Sequence, residues 1–575
     1  MLNNPFYLRL ELERYLPHFF VCKAILISLL LIACPLWAAP EKSSNACAEL
    51  MQHQFPSSMR LQLIIANMNE ADAYCQVKGI VNARTGIDGK HYGIEFEMRL
   101  PLSWNGRFVY QMNGGNDGNV VAAEGDASNL NAYGNRSARS QGYAVLSTNA
   151  GHAGDASENQ MYGLAASNRF GLDPQAREDY GYRTTATMTP IANGVITAFY
   201  GKAAAYSYLT GCSNGGRHGM VAATRYGDKF DGILVGAPGF NLPKAAVQHA
   251  WDVQSIQQLD PQLHNAFSRA DMQLIANKIV DVCDGLDGVK DGLVNSVRKC
   301  QKVFDINSLR CTDKKLPSCL SGTQTNVFAR IMAGPHNSKG KPLYNSWWYD
   351  SGVADEGWRF WKLESPIPAW NHNPLIATMG AGSLAYLFTT PATEVEGTPE
   401  KLLQFLSHFD FDVDAPKIFS TQGKFKQSAM SIMTPPDVDN PHLTNFHHHG
   451  GKIIIYQGQS DPVFSTVDIV DWYEKLSSHY RGQAQTFARL FVVPGMNHCS
   501  GGPATDQFDA FNALVAWVEK GTVPERVVAS VNPNNKALPA NWSPSRSRPL
   551  CPWPRVAIYT SGDIESATSF VCSVE

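Results

Sequence analysis

Short β-branched and aromatic runs alternate with amphipathic helical patterns along most of this 575-residue chain, and nothing else in the sequence constrains its fold as strongly. Tyr92–Arg99, Arg107–Met112, Tyr143–Thr148, Ala205–Thr210, Gly232–Val235, Ile453–Gln457 and Phe487–Val493 read as strands. Helical spacing of apolar residues marks Ile191–Phe199, Gly216–Tyr226, Val467–Leu476 and Gln507–Glu519. Strands that alternate with helices predict an α/β fold, a mostly parallel sheet flanked by helices on both faces. The alternation stops between Asn241 and Asp414, a stretch with four cysteines and six tryptophans. So long an interruption folds as its own unit or as a lid. The expected organisation is a sheet-bearing body over 40–240 and 415–575 with an inserted domain over 241–414.

Composition narrows the function classes. Lys and Arg number 48 against 51 Asp and Glu, so no net positive charge is available to neutralise nucleic-acid phosphates. With 44% hydrophobic residues the chain can bury a large core, which excludes disorder over most of its length. Ala24–Ala33 is an uncharged apolar run after Lys23. It is too short to span a bilayer, which takes about 20 residues. Followed by the small residues Ala38 and Ala39, it reads as the core of a signal peptide over 1–39. Two alternatives stay open: a lipoprotein signal with Cys34 as the lipid anchor, and a short buried helix.

Beyond that segment lie ten cysteines: Cys47, Cys75, Cys212, Cys283, Cys300, Cys311, Cys319, Cys499, Cys551 and Cys572. An even number in an exported chain fits five disulfides, and the absence of any C-x-x-C argues against a zinc ribbon. Sequence does not fix the connectivity. Pairing near neighbours would join Cys47–Cys75, Cys283–Cys300, Cys311–Cys319 and Cys551–Cys572, leaving Cys212 and Cys499 for each other.

Gly211-Cys212-Ser213-Asn214-Gly215 is a G-x-S-x-G pentapeptide between a strand-like and a helix-like run, the setting of a nucleophile elbow. An ordinary turn between strand and helix could carry the same residues. A serine nucleophile needs a base and an acid, which in this architecture follow it on loops after later strands. Asp461 follows the run Ile453–Gln457, and His498 follows Phe487–Val493. Each could equally be a structural loop residue. The flanking cysteines favour the catalytic reading. A Cys212–Cys499 bridge would hold its Cα atoms roughly 5.5–6 Å apart and bring Ser213 beside His498. The backbone N–H groups of Asn214 and of the Gly-rich loop Asn113–Gly118 would stabilise an oxyanion.

Asp284–Leu293 packs three carboxylates and three glycines into ten residues, which suits an oxygen-liganded Ca²⁺ as well as a run of Asp-Gly turns. His447-His448-His449 reads as a solvated loop, because consecutive side chains point in different directions.

These residues resemble the tannase/feruloyl esterase family of α/β-hydrolases, from about Cys47 to Cys572. The hallmark is a cysteine before the serine and another after the histidine, here Cys212 and Cys499. The resemblance implies an α/β-hydrolase with a large inserted lid, the five-bridge pattern above, Ser213, His498 and Asp461 as the triad, and Gly115 and Asn214 as oxyanion positions. It also implies a structural Ca²⁺ in the lid, held by the side chains of Asp284, Asp287 and Asp291 and the carbonyls of Val289 and Leu293. The chain is similar to the branch that hydrolyses mono(2-hydroxyethyl) terephthalate in Phe170–Arg177, in Pro494–Pro503, and at Phe464, a position that contacts the aromatic ring. It departs at Leu375, where that branch has an Arg for the substrate's free carboxylate, and at Asn214, where that branch has an acid. Ser383 matches a polar lid position.

The expectation is a secreted or periplasmic serine carboxylesterase acting on feruloyl, galloyl or related aryl esters, with no nucleic-acid partner and no transmembrane span. Trp358, Trp361 and Phe464 would sandwich the aromatic acid. The alternatives are a terephthalate-monoester hydrolase, a serine peptidase and a non-catalytic ligand-binding protein.

Overall fold

The computed structural model describes residues 44–126, 129–154 and 157–575. The expected signal peptide over 1–39 and the alternative lipid anchor at Cys34 lie outside the described residues.

The runs that read as strands form seven of the strands of a nine-stranded sheet, from its third strand to one edge. Its strands are β1 (Leu61–Asn69), β2 (Tyr74–Thr85), β3 (His91–Pro101), β4 (Arg107–Met112), β5 (Ala144–Thr148), β6 (Tyr206–Cys212), β7 (Gly232–Gly236), β8 (Lys452–Gly458) and β9 (Ala488–Val493). They lie in the order β1-β2-β3-β5-β4-β6-β7-β8-β9. The pairings of β1 with β2, β2 with β3 and β3 with β5 are antiparallel. Every pairing from β5 onward is parallel.

Side-chain alternation explains why this sheet is covered on both faces. Phe108, Tyr110, Leu146, Ile453 and Ile455 point into one apolar layer, which includes buried residues of helices Thr184–Tyr200, Asn214–Arg225 and Thr466–His479. Val109, Val145, Leu234, Ile454 and Tyr456 point into the other, under helix Ala510–Lys520.

Two local expectations are corrected, and two strands are added. The antiparallel strands β1 and β2 did not read as strands, because β1 is half exposed and β2 interleaves Lys78, Gly79, Asn82 and Arg84 with its apolar residues. The helix expected over Gln507–Glu519 starts at Ala510, because Gln507–Phe508 pairs as a short strand with Val527–Ser530. His447-His448-His449 is no loop: it ends helix Thr444–His449, where the His447 ring packs at 4.5 Å from Phe487.

Between β7 and β8 the chain adds no strand to the sheet. It folds as helices, including Leu242–Ile256, Arg269–Cys283, Glu356–Lys362 and Met379–Tyr386, around a separate apolar cluster. The ten described cysteines form five disulfides: Cys47–Cys75, Cys212–Cys499, Cys283–Cys300, Cys311–Cys319 and Cys551–Cys572. Among the described residues no helix is long and apolar enough to cross a membrane.

Candidate active site

The loops that follow β4, β6, β8 and β9 meet at the C-terminal edge of the parallel strands, where open α/β sheets bind ligands. Ser213 sits between β6 and helix Asn214–Arg225 with φ +64° and ψ −125°, a conformation rarely tolerated outside glycine. The turn is closed by the Ser213 N–H donating to the Gly236 carbonyl at 2.9 Å. It is so tight that a Cβ at Gly211 would collide with Gly215, and one at Gly215 with the Met112 carbonyl. These contacts explain the glycines of the pentapeptide.

His498 spans the gap between serine and acid. Its Nε2 lies 2.8 Å from Ser213 Oγ, and its Nδ1 lies 2.8 Å from Asp461 Oδ2. Asp461 is fully buried, yet every lone pair it needs is engaged. Oδ1 accepts the Val463 and Phe464 N–H groups at 2.8 and 3.0 Å, and Oδ2 also accepts the Gln457 amide at 3.0 Å. These donors fix the face that the carboxylate offers to the imidazole. Behind the serine, the Cys212–Cys499 bridge holds its Cα atoms 6.1 Å apart across 287 residues of chain.

The segment between β7 and β8 buttresses both loops. Buried Asp350 accepts from Ser460 Oγ at 2.6 Å and from the Gly495 N–H at 2.8 Å, joining the acid's loop to the histidine's. The Trp347 indole N–H donates to the Asp461 carbonyl at 3.0 Å.

Gly115, with φ +62°, and Asn214 both line the cavity at Ser213. The Asn214 side chain is clamped at both ends. Its amide donates to Asp117 Oδ2 at 2.6 Å, and its carbonyl accepts from Arg217 at 2.7 Å and Tyr180 at 3.1 Å. Asp117 also meets His218 Nε2 at 2.8 Å. Burial and the neighbouring Arg217 push the His218 pKa down. This network ties the Gly-rich loop to the helix that starts at Asn214. Asp117, Arg217 and His218 escaped the sequence reading, although all three lie inside or just beyond the motifs it used.

A cavity of about 310 Å³ opens from Ser213 and His498. Trp361 and Phe464 line it with their rings edge-on to His498, at 5.3 and 5.4 Å. Leu375 and Ser383 line it too. The Ser383 hydroxyl is engaged by the Met379 carbonyl at 2.7 Å and by Asn116, whose amide donates to it at 2.9 Å. Trp358 is not part of this wall. It is 2% exposed and packs against Phe328 inside the helical segment. Sequence reasoning also missed Leu242, Ala246 and His249, spaced by four and three residues on one helix. Burial, reinforced by Lys362, pushes the His249 pKa down to about 3. On the other side of Ser213 a groove of about 220 Å³ is lined by Asn113, Gly114, Asn129, Ser500 and the disulfide.

Asp284, Asp287 and Asp291 share one loop but turn their carboxylates toward different donors. Asp284 accepts backbone N–H groups of Asp291 and Gly292, Asp287 accepts from Val289 and Asn295, and Asp291 pairs with buried Arg548 at 2.9 Å. Burial and the nearby Asp291 charge push Asp287 up to about 7. Among the described residues no three acidic, histidine or cysteine side chains converge as metal ligands.

Comparison with known proteins points to one family. A family profile described as "Tannase and feruloyl esterase" matches residues 75–573. The mono(2-hydroxyethyl) terephthalate hydrolase of Piscinibacter sakaiensis is 41% identical over 527 residues, covering 87% of this chain and 85% of that protein. A probable feruloyl esterase of Arthroderma benhamiae is 26% identical over 580 residues, covering 96% and 98%. The crystal structure of feruloyl esterase B from Aspergillus oryzae superposes with a TM-score of 0.71 at 20% identity, covering 92% of this chain and all of that one. The fold is therefore that of the α/β-hydrolases.

Proposed function

The chain belongs to the tannase and feruloyl esterase family and is a carboxylic ester hydrolase; from that premise we propose that it is an exported serine esterase cleaving aryl-acid esters through Ser213, His498 and Asp461. The observation that carries the reading is the pair of 2.8 Å contacts linking Ser213 Oγ to His498 and His498 to Asp461. His498 takes the Ser213 proton as Oγ attacks the ester carbonyl carbon. The Gly115 and Asn214 N–H groups hold the oxyanion. His498 then protonates the departing alcohol, leaving an acyl-serine. Water, deprotonated by His498, attacks that acyl carbon; the acyl–Oγ bond breaks, His498 returns the proton to Ser213 Oγ, and the acid is freed. Asp461 orients the ring and balances its transient charge.

The apolar cavity takes the aryl acid between Trp361 and Phe464, and the groove lined by Asn129 and Ser500 takes the alcohol. The helical segment acts as the lid. Leu375 stands in the acyl wall and offers no partner to a free carboxylate, which favours feruloyl- or galloyl-type acids over a terephthalate monoester. The five disulfides support export. We further propose that Asp284, Asp287 and Asp291, with Val289 and Leu293, hold a structural Ca²⁺. Three buried carboxylates face the guanidinium of Arg548, while Arg546, on the Asp291 carbonyl, is already paired with Glu565; the excess negative charge suits a hard cation.

The deciding experiment is a panel of methyl ferulate, methyl gallate and a terephthalate monoester. The proposal expects kcat/KM for one of the neutral phenolic esters to exceed that for the terephthalate monoester by at least about tenfold, since a buried unpaired carboxylate is costly. The reverse order would move the assignment to the terephthalate-monoester reading that the 41% identical relative favours.

A further inference from the structure

One side chain of the acyl cavity has no role in the chemistry above and no settled partner. His249 is 9% exposed and lines the cavity. Its Nδ1 is sealed against the Gly380 backbone, while among the described residues no hydrogen bond engages its Nε2, the ring nitrogen left for a ligand to complete. The other polar side chains of the wall away from Ser213 are already engaged. Asn116 and Ser383 hydrogen-bond each other, and both reach Asn168.

The position of His249 along the cavity follows from its helix. Leu242, Ala246 and His249 all line the cavity from helix Leu242–Ile256. Leu242 comes just after Gly239, whose N–H donates to the Ser213 carbonyl at 3.3 Å, so this end of the helix lies beside the nucleophile. Seven residues later, at about 1.5 Å per residue, His249 lies about 10 Å further along the axis. That span suits an aryl acid with a short unsaturated spacer, its carbonyl at Ser213 and the far ring substituent at the imidazole.

The surroundings settle what kind of substituent fits. Gly380 of helix Met379–Tyr386 presses against the ring, and a Cβ there would lie 2.5 Å from Nδ1, so the two helices pin the imidazole plane. Lys362, whose charge acts on the ring, is itself ion-paired with Asp252, and both are buried. Burial and Lys362 keep the imidazole neutral, so it offers one donor and one acceptor but no charge.

We propose that His249 is a specificity-determining residue that hydrogen-bonds a neutral hydroxyl at the far end of the substrate's aromatic ring. The inference rests on the aryl-ester reading above and adds to it the residue that distinguishes hydroxylated from plain rings. The test compares kcat/KM for methyl 4-hydroxycinnamate and methyl cinnamate. The unaltered enzyme should prefer the hydroxylated ester by about tenfold. His249→Leu should bring the two esters within about twofold, while His249→Gln, which keeps a donor and an acceptor, should retain a preference above about threefold. A ratio near one in the unaltered enzyme overturns the inference whatever the variants do. So does an unchanged preference in a His249→Leu protein with an unaltered melting temperature. If the unaltered enzyme cleaves a short aliphatic p-nitrophenyl ester but neither cinnamate, the aryl-ester reading fails first and takes this inference with it.

Discussion

The two walls of the active site are built on different principles. On the sheet side, Ser213, His498 and Asp461 hang from strand ends, and each is fixed by several short hydrogen bonds or by the Cys212–Cys499 bridge. On the helical side, Leu242, Leu375, Phe388 and Trp361 present apolar surface with few directional contacts. One wall can set the reaction because its geometry is over-determined. The other can set the substrate because a packed apolar surface tolerates exchange of side chains of similar volume. Asp350 joins the walls by accepting hydrogen bonds from the loops that carry Asp461 and His498 while belonging to the helical segment.

The contrast can be broken most severely on the sheet side. Ser213→Ala should lower turnover of any ester by at least about a thousandfold with no loss of melting temperature, because only the reacting atom is removed. Next, Cys212→Ser with Cys499→Ser should cut kcat by about a hundredfold, since small displacements of reacting groups are expensive. Removing Cys311–Cys319, which closes an eight-residue separation far along the helical segment, should instead cost about 2 kcal/mol of stability and leave kcat within about twofold. Equal kinetic losses from the two bridges would erase the distinction between the walls.

Two tryptophans sharpen the comparison within the helical side. Trp358→Ala should destabilise by about 3–5 kcal/mol, because the ring is buried among Phe328 and its neighbours. Trp361→Ala, half-buried on the cavity, should cost less stability but raise KM for aryl esters by about tenfold through lost ring contacts. Urea titration and steady-state kinetics on both variants separate the effects. The smallest expected change is at the acidic loop. Chelation should lower the melting temperature by several degrees with little effect on kcat, and added Ca²⁺ should restore it.

The same division governs what could be read from the sequence. The pentapeptide around Ser213, the loops after β8 and β9 and the mostly parallel sheet follow from short local patterns: strands alternating with helices, turn glycines and cysteines beside Ser213 and His498. Strand β1 escaped because an exposed sheet margin does not need a fully apolar face, and β2 because Gly79 interrupts the buried row that includes Cys75, Val77 and Val81, with Lys78, Asn82 and Arg84 interleaved. The helical wall escaped for a different reason. Trp358 and Trp361 are three residues apart on one short helix, and only tertiary packing decides which meets the core and which meets the cavity. His249 gave no signal of its own, although its spacing from Leu242 and Ala246 marks a shared helix face. Asp117 and His218 needed the loop and the helix to be seen together before their contact with each other and with Asn214 was apparent.

The most direct test of the account is mass spectrometry of the protein after treatment with a fluorophosphonate. One adduct per chain on the peptide containing Ser213, absent from Ser213→Ala, is the predicted result. Ester hydrolysis that survives treatment with Ser213 unmodified, or an adduct that persists in Ser213→Ala, would contradict it.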